Sequence, residues 1–120
     1  MDFLDIGTFR DQLAKEIPTA IKQLLAIGMA LMVEPKVLLL DEPSAGMTVE
    51  EVEQLMKLIK RIKDRGITVV LIEHRMQMVM GISDWIMVLN FGEKIAGGTP
   101  DEIRKDSAVI EAYLGQEYVI

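Results

Sequence analysis

The chain has 120 residues, half of them hydrophobic and 27% charged, with a formal net charge of -6. That is one globular domain with room for a core, neither a disordered chain nor two domains. The acidic balance offers no basic face to phosphates, so no nucleic-acid partner is expected, and with no cysteine there is no disulfide framework, thiolate metal site or cysteine nucleophile.

Along the chain, 7–16 is polar and mixed and reads as a short helix or loop. Pro18 sits where a first helical turn tolerates proline. From Thr19 to Met32, Ala20, Leu24, Ile27 and Leu31 recur at helical spacing, and Pro35 ends that helix. Val37-Leu38-Leu39-Leu40 is an unalternating apolar run, as in a strand buried on both faces of a parallel sheet. Asp41-Glu42-Pro43 closes it, since proline cannot donate to a ladder. A helix follows from about Thr48 to Arg65, with an apolar stripe of Val52, Leu55, Met56, Ile59 and Ile62. Its acids lie early and its bases late, opposing the macrodipole, and Gly66 stops it.

Ile67–Ile72 is a second apolar, β-branched run. Strand, helix and strand in succession make a βαβ unit with a parallel pair. Arg75–Met80 reads as a short helix and Trp85–Leu89 as a third strand. Asn90-Phe91-Gly92-Glu93 is a turn signal, with a returning strand at Lys94–Ala96. Thr99-Pro100-Asp101-Glu102 opens a last helix with a cap, a first-turn proline and early acids. Helical pattern resumes through Val109, Ile110 and Tyr113, and Gly115 stops it. No apolar run is long enough to span a bilayer, and no basic region precedes an apolar stretch at the N-terminus. A soluble, cytoplasmic protein is expected.

Chemistry concentrates at two strand ends. Asp41 and Glu42 stand at the carboxyl edge of the first strand, where ligands bind in open α/β sheets. An acid pair there either leaves the core for solvent, or holds Mg²⁺ with one carboxylate while the other polarises a water. Glu73 and His74 end the neighbouring strand on the same edge. A lone histidine is often structural, but at the end of a strand neighbouring Asp41-Glu42 an imidazole can donate to a phosphate oxygen or orient a water.

These residues carry a resemblance. Val37-Leu38-Leu39-Leu40-Asp41-Glu42-Pro43 resembles the Walker B motif of the ABC-type ATPases. Ser44-Ala45-Gly46-Met47 occupies the place of that family's D-loop, and Leu71-Ile72-Glu73-His74 resembles its switch-histidine segment at the expected distance. The tail, with Asn90-Phe91-Gly92-Glu93-Lys94-Ile95-Ala96, Gly98-Thr99-Pro100-Asp101-Glu102-Ile103 and Val109–Gly115, is similar to the branched-chain amino-acid importer subfamily. The ordered set covers nearly the whole chain and resembles the C-terminal half of an ATP-binding subunit.

The resemblance implies a partial P-loop-NTPase-like α/β layered fold. Its sheet would be mostly parallel and lack the P-loop strand, with helices on its faces. Within a single 1–120 domain, 1–33 would be a remnant of the helical and signature region, 34–98 the sheet core, and 99–120 the C-terminal helices. It assigns Asp41 to the Mg²⁺ shell, Glu42 to general base and His74 to the γ-phosphate. Ser44, Ala45, Gly46 and Met47 would form the subunit-crossing D-loop beside ATP. It further implies a second ATPase half and a membrane permease subunit at the inner face of the cell membrane, while the missing strand points to a homodimer that repairs the sheet or its exposed face.

The departures from the family pattern are specific. These 120 residues contain no Gly-x-x-x-x-Gly-Lys-Ser/Thr loop, whose backbone N–H groups and lysine hold the β- and γ-phosphates. The family's Leu-Ser-Gly-Gly-Gln-Gln-Arg signature is replaced by Ile17-Pro18-Thr19-Ala20-Ile21-Lys22-Gln23. Thr19 could partly replace the signature serine's hydroxyl toward a nucleotide phosphate, but Thr19 and Ala20 carry Cβ atoms where glycines let backbone approach a phosphate. The chain alone is therefore expected to be inactive. Without the P-loop strand, either the third strand closes against the second, or another chain fills the gap, or an apolar edge stays exposed. The alternative to a transporter ATPase segment is a non-catalytic α/β module that binds itself or a partner.

Overall fold

The computed structural model describes residues 2–4, 7, 11 and 17–114. The chain divides into two compact units, Met1–His74 and Arg75–Ile120. The expected helix or loop at 7–16 and the stop at Gly115 lie essentially outside the described residues.

The first unit holds a 3-10 turn Asp2–Leu4, then α1 (Thr19–Leu31), β1 (Val37–Asp41), α2 (Val49–Asp64) and β2 (Thr68–Ile72). β1 and β2 pair in parallel from Val37↔Thr68 to Asp41↔Ile72, the crossover that the two apolar runs around a helix demand. α2 packs against β2 and buries Val52, Leu55, Leu58, Ile59 and Ile62, with Leu58 on the buried stripe and Met56 half-buried. Its start is a capping box: the Glu51 N–H donates to Thr48 Oγ1 and the Thr48 N–H to Glu51 Oε1. Its end turns at Gly66, whose φ of 87° suits a residue without Cβ.

β1 is not buried on both faces. Leu38 and Leu40 are buried, whereas Val37, Leu39 and Asp41 are exposed. In parallel pairing, partners point to the same side, so Thr68, Val70 and Ile72 continue that exposed face. The apolar run supplies side chains for two covered faces, and the buried stripe of α2 answers only one of them.

The second unit holds α3 (Met76–Ile82), β3 (Ile86–Asn90), β4 (Glu93–Gly98), α4 (Pro100–Lys105), α5 (Ser107–Val109) and a π-helical turn Ile110–Leu114. β3 and β4 form an antiparallel hairpin. Its two-residue turn places Phe91 and Gly92 at φ 50° and 79°, as the twist of tight hairpins requires. Ile86, Ile103 and Val109 form the core of this unit, with Met76, Val79, Met80 and Ile110 packed on it.

The α/β class and the parallel pair stand as read from the sequence. The strands nevertheless form two separate two-stranded sheets, one parallel and one antiparallel. Within the second unit β3 takes β4 as its partner. The short Asn90–Glu93 connection makes the local hairpin the readily formed pairing.

Candidate functional site

The site is built where the β1–β2 ladder ends. After Asp41↔Ile72 one further backbone bond forms, from Glu42 N–H to Ile72 C=O at 2.7 Å. The chain then turns sharply. Glu42 adopts φ 46°, in the left-handed region, which costs a non-glycine residue about 1–2 kcal/mol. Two turns follow, Ala45 N–H to Glu42 C=O and Met47 N–H to Ser44 C=O, with Gly46 at φ 75°.

That geometry sorts the four loop residues. Ser44 and Met47 point inward and are buried, while Ala45 and Gly46 are exposed. The Ser44 hydroxyl donates to Glu73 Oε2 at 2.7 Å and the Ser44 N–H reaches the same oxygen at 3.3 Å. The other oxygen, Glu73 Oε1, accepts the His74 N–H at 3.1 Å. The Glu73 side chain is only 1% exposed, so this carboxylate leaves water for a set of three donors, as a buried acid must.

His74 lies at the rim, with its side chain 70% exposed, and its Nδ1 is 3.4 Å from Glu42 Oε1. That distance is ion-pair range and long for a hydrogen bond. Nδ1 also lies 3.9 Å from Glu73 Oε1. Glu42 and His74, 32 positions apart in the chain, thus meet at one edge, with Asp41 on the exposed sheet face beside them.

Thr19 is the first residue of α1 and exposed. Among the described residues it is not part of this hydrogen-bonded cluster. α1 is tied to the loop instead by Gln23, whose Nε2 donates to Ala45 C=O at 3.0 Å. Glu73 and Gln23 are the contributors that reading the sequence left without a role. For Glu73 the available signal was an acid directly after a β-branched strand run. Gln23 carried no signal, since a glutamine at helical spacing reads as a solvated face.

Among the described residues no group of three or more His, Cys, Asp or Glu side chains is gathered as a closed metal cage. Asp41 is an exposed carboxylate at the end of β1, the kind of ligand of which Mg²⁺ takes one or two while waters and substrate phosphates complete its shell.

A parallel βαβ layer with an acid pair and an imidazole at its carboxyl edge puts polar side chains where open α/β folds bind their ligands. The ADP conformation of an ATP-binding cassette of an ABC transporter superposes with a TM-score of 0.84 at 32% identity, covering 96% of this chain and 47% of that one. A nucleotide-free ATP-binding cassette from an ABC transporter gives a TM-score of 0.85 at 31% identity, with the same coverage.

Sequence relatives narrow the class. Residues 93–119 match the family model described as "Branched-chain amino acid ATP-binding cassette transporter". The high-affinity branched-chain amino acid transport ATP-binding protein BraF of Pseudomonas aeruginosa is 38% identical over 97% of this chain and 46% of its own length. The corresponding protein LivG of Escherichia coli is 45% identical over 77% of this chain and 36% of its own. The chain is similar to this group of ATP-binding cassettes and spans about half the length, or less, of the curated relatives it matches.

Proposed function

We propose that this chain supplies the hydrolytic edge of a transporter ATP-binding cassette, in the branched-chain amino-acid group. The observation that carries the reading is the convergence of Glu42 and His74 at the end of a parallel β-pair, with a buried carboxylate between their segments. The relatives named above are transport ATP-binding proteins, which supports ATP as the nucleotide and a membrane permease as the driven partner.

In this reading Asp41 enters the magnesium shell and Glu42 takes the proton of the attacking water. His74 donates to the γ-phosphate, and the exposed Ala45–Gly46 tip with Met47 and Ser44 forms the face crossing to a second ATPase half or a second copy. Magnesium supplies charge neutralisation on the phosphates when bound. Among the described residues no helix is long and apolar enough to cross a membrane, consistent with a peripheral role at the cytoplasmic face. These 120 residues contain no phosphate-cradling loop, so by themselves they are expected not to turn over ATP. Thr19 is not expected to restore a signature helix.

The test is phosphate release from Mg-ATP, by the chain alone and after mixing with a segment that carries the Gly-x-x-x-x-Gly-Lys-Ser/Thr loop. The expected result is none alone and activity in the mixture, which Glu42→Gln lowers by about 10²–10⁴ as loss of a general base does. Magnesium-dependent release from the chain alone, abolished by Glu42→Gln, would overturn the inactivity. Full activity of the variant mixture would remove Glu42 from its role. The exposed apolar face of Val37, Leu39, Val70 and Ile72 favours a second reading, a self-associating module without catalysis. No Mg-ATP binding by calorimetry, together with a defined dimer, would select it.

A further inference from the structure

The backbone ladder between β1 and β2 stops at Glu42 N–H to Ile72 C=O. The residues that matter lie just beyond that stop, where nothing in the sheet itself holds them together. Glu73 takes over there. One of its oxygens holds the Ser44 hydroxyl and N–H, and the other holds the His74 N–H. The Ser44 hydroxyl bond, at 2.7 Å, has the short length of a charge-assisted bond. Ser44 lies two residues after Glu42, and His74 directly follows Glu73. A single buried carboxylate therefore pins both segments whose side chains, Glu42 and His74, come within 3.4 Å.

We propose that Glu73 is a positioning residue: a carboxylate clasp that sets the spacing of Glu42 and His74. The proposal rests on the reading above for what that spacing serves, but the clasp itself is a matter of geometry. Its chemistry explains the residue type. A neutral side chain of the same size, glutamine, has one acceptor oxygen for donors on two sides. Aspartate has both oxygens on a stem one methylene shorter. Only a glutamate at this position spans from Ser44 to its own C-terminal neighbour with an acceptor for each. Ser44, 1% exposed, is the matching half, since its hydroxyl has no water to turn to.

The test is amide hydrogen exchange and imidazole ¹⁵N spectroscopy on the 120-residue chain, without nucleotide. In Glu73→Ala the amides of Ser44 and His74 are expected to exchange at least about tenfold faster, the equivalent of one lost charge-assisted bond, while those of Val69–Leu71 keep their protection. The ¹⁵N signature of His74 is expected to move with them, as Nδ1 loses its place beside Glu42. Glu73→Gln retains bulk and guards against failure to fold. It is expected to release one of the two amides and hold the other. Unchanged Ser44 and His74 amides in both variants would overturn the clasp. So would acceleration spread evenly through β1 and β2, which would mark Glu73 as a general stabiliser of the sheet. An unmoved His74 ring signal would confine Glu73 to holding backbone and overturn its positioning role. None of these outcomes depends on ATP turnover, so the clasp fails or stands separately from Glu42 as general base.

Discussion

Glu42 concentrates the conflict between stability and chemistry in one residue. Its carboxylate faces His74, yet its backbone sits at φ 46°, where a Cβ crowds the neighbouring carbonyl. Glu42→Gly is expected to stabilise the first unit by about 1 kcal/mol in urea unfolding followed by circular dichroism. Glu42→Gln is expected to stay within about 0.5 kcal/mol of the parent, since it keeps the Cβ and removes only an exposed charge. An unchanged midpoint for Glu42→Gly would show that the turn imposes no cost. The acid pair and His74 were legible because an apolar run ending in acids announces a strand leaving the core. The left-handed turn was not, because glutamate favours helix and nothing local in Asp41-Glu42-Pro43 asks for positive φ. Nor was the clasp: Ser44 and Glu73 lie 29 positions apart, and a contact of that range is set by the register of β1 on β2.

The helices show what local chemistry can and cannot announce. For α2 the start and stop follow from sequence, and so does the stripe except that Leu58 is buried where Met56 is only half-buried, because cap, periodicity and glycine act within one or two turns. The reciprocal Thr48–Glu51 cap implies that Thr48→Ala costs about 1 kcal/mol. The same measurement on Gln54→Ala, at an exposed mid-helix position, is expected to change stability little, as alanine is the best helix former. Equal effects would mean the cap contributes nothing beyond propensity. After Thr99 the pattern reads as one helix with a resumption, but the structure breaks it at Asp106. That side chain accepts the Ala108 and Val109 N–H groups at 2.9 and 3.2 Å and starts a new turn. Aspartate competes with the helix for backbone donors, and periodicity is blind to such competition when the flanking apolar residues keep helical spacing.

For the isolated 120-residue molecule, the decisive feature is the uncovered side of the β1–β2 pair. Parallel strands are ordinarily covered on both faces, and the apolar run at 37–40 foretold two such faces without telling which would find cover. Leu38 and Leu40 are buried on the side that α2 serves. Val37, Leu39, Val70 and Ile72 remain together on the other. Each offers up to about 1.5–3 kcal/mol if removed from water, so the face is a strong drive toward any apolar cover. In the relatives, about half or more of the length lies outside the matched region. A solution of this chain by itself offers only further copies. The weight-average mass in sedimentation equilibrium is therefore expected to rise with protein concentration. Leu39→Glu combined with Val70→Lys places opposite charges on cross-strand partners, which a parallel pair tolerates, and turns the face polar. This double variant is expected to sediment as a monomer at concentrations where the parent associates, with its β2 amides still protected. A parent that stays monomeric throughout, or a double variant that associates as strongly as the parent, would show that this face does not drive self-association.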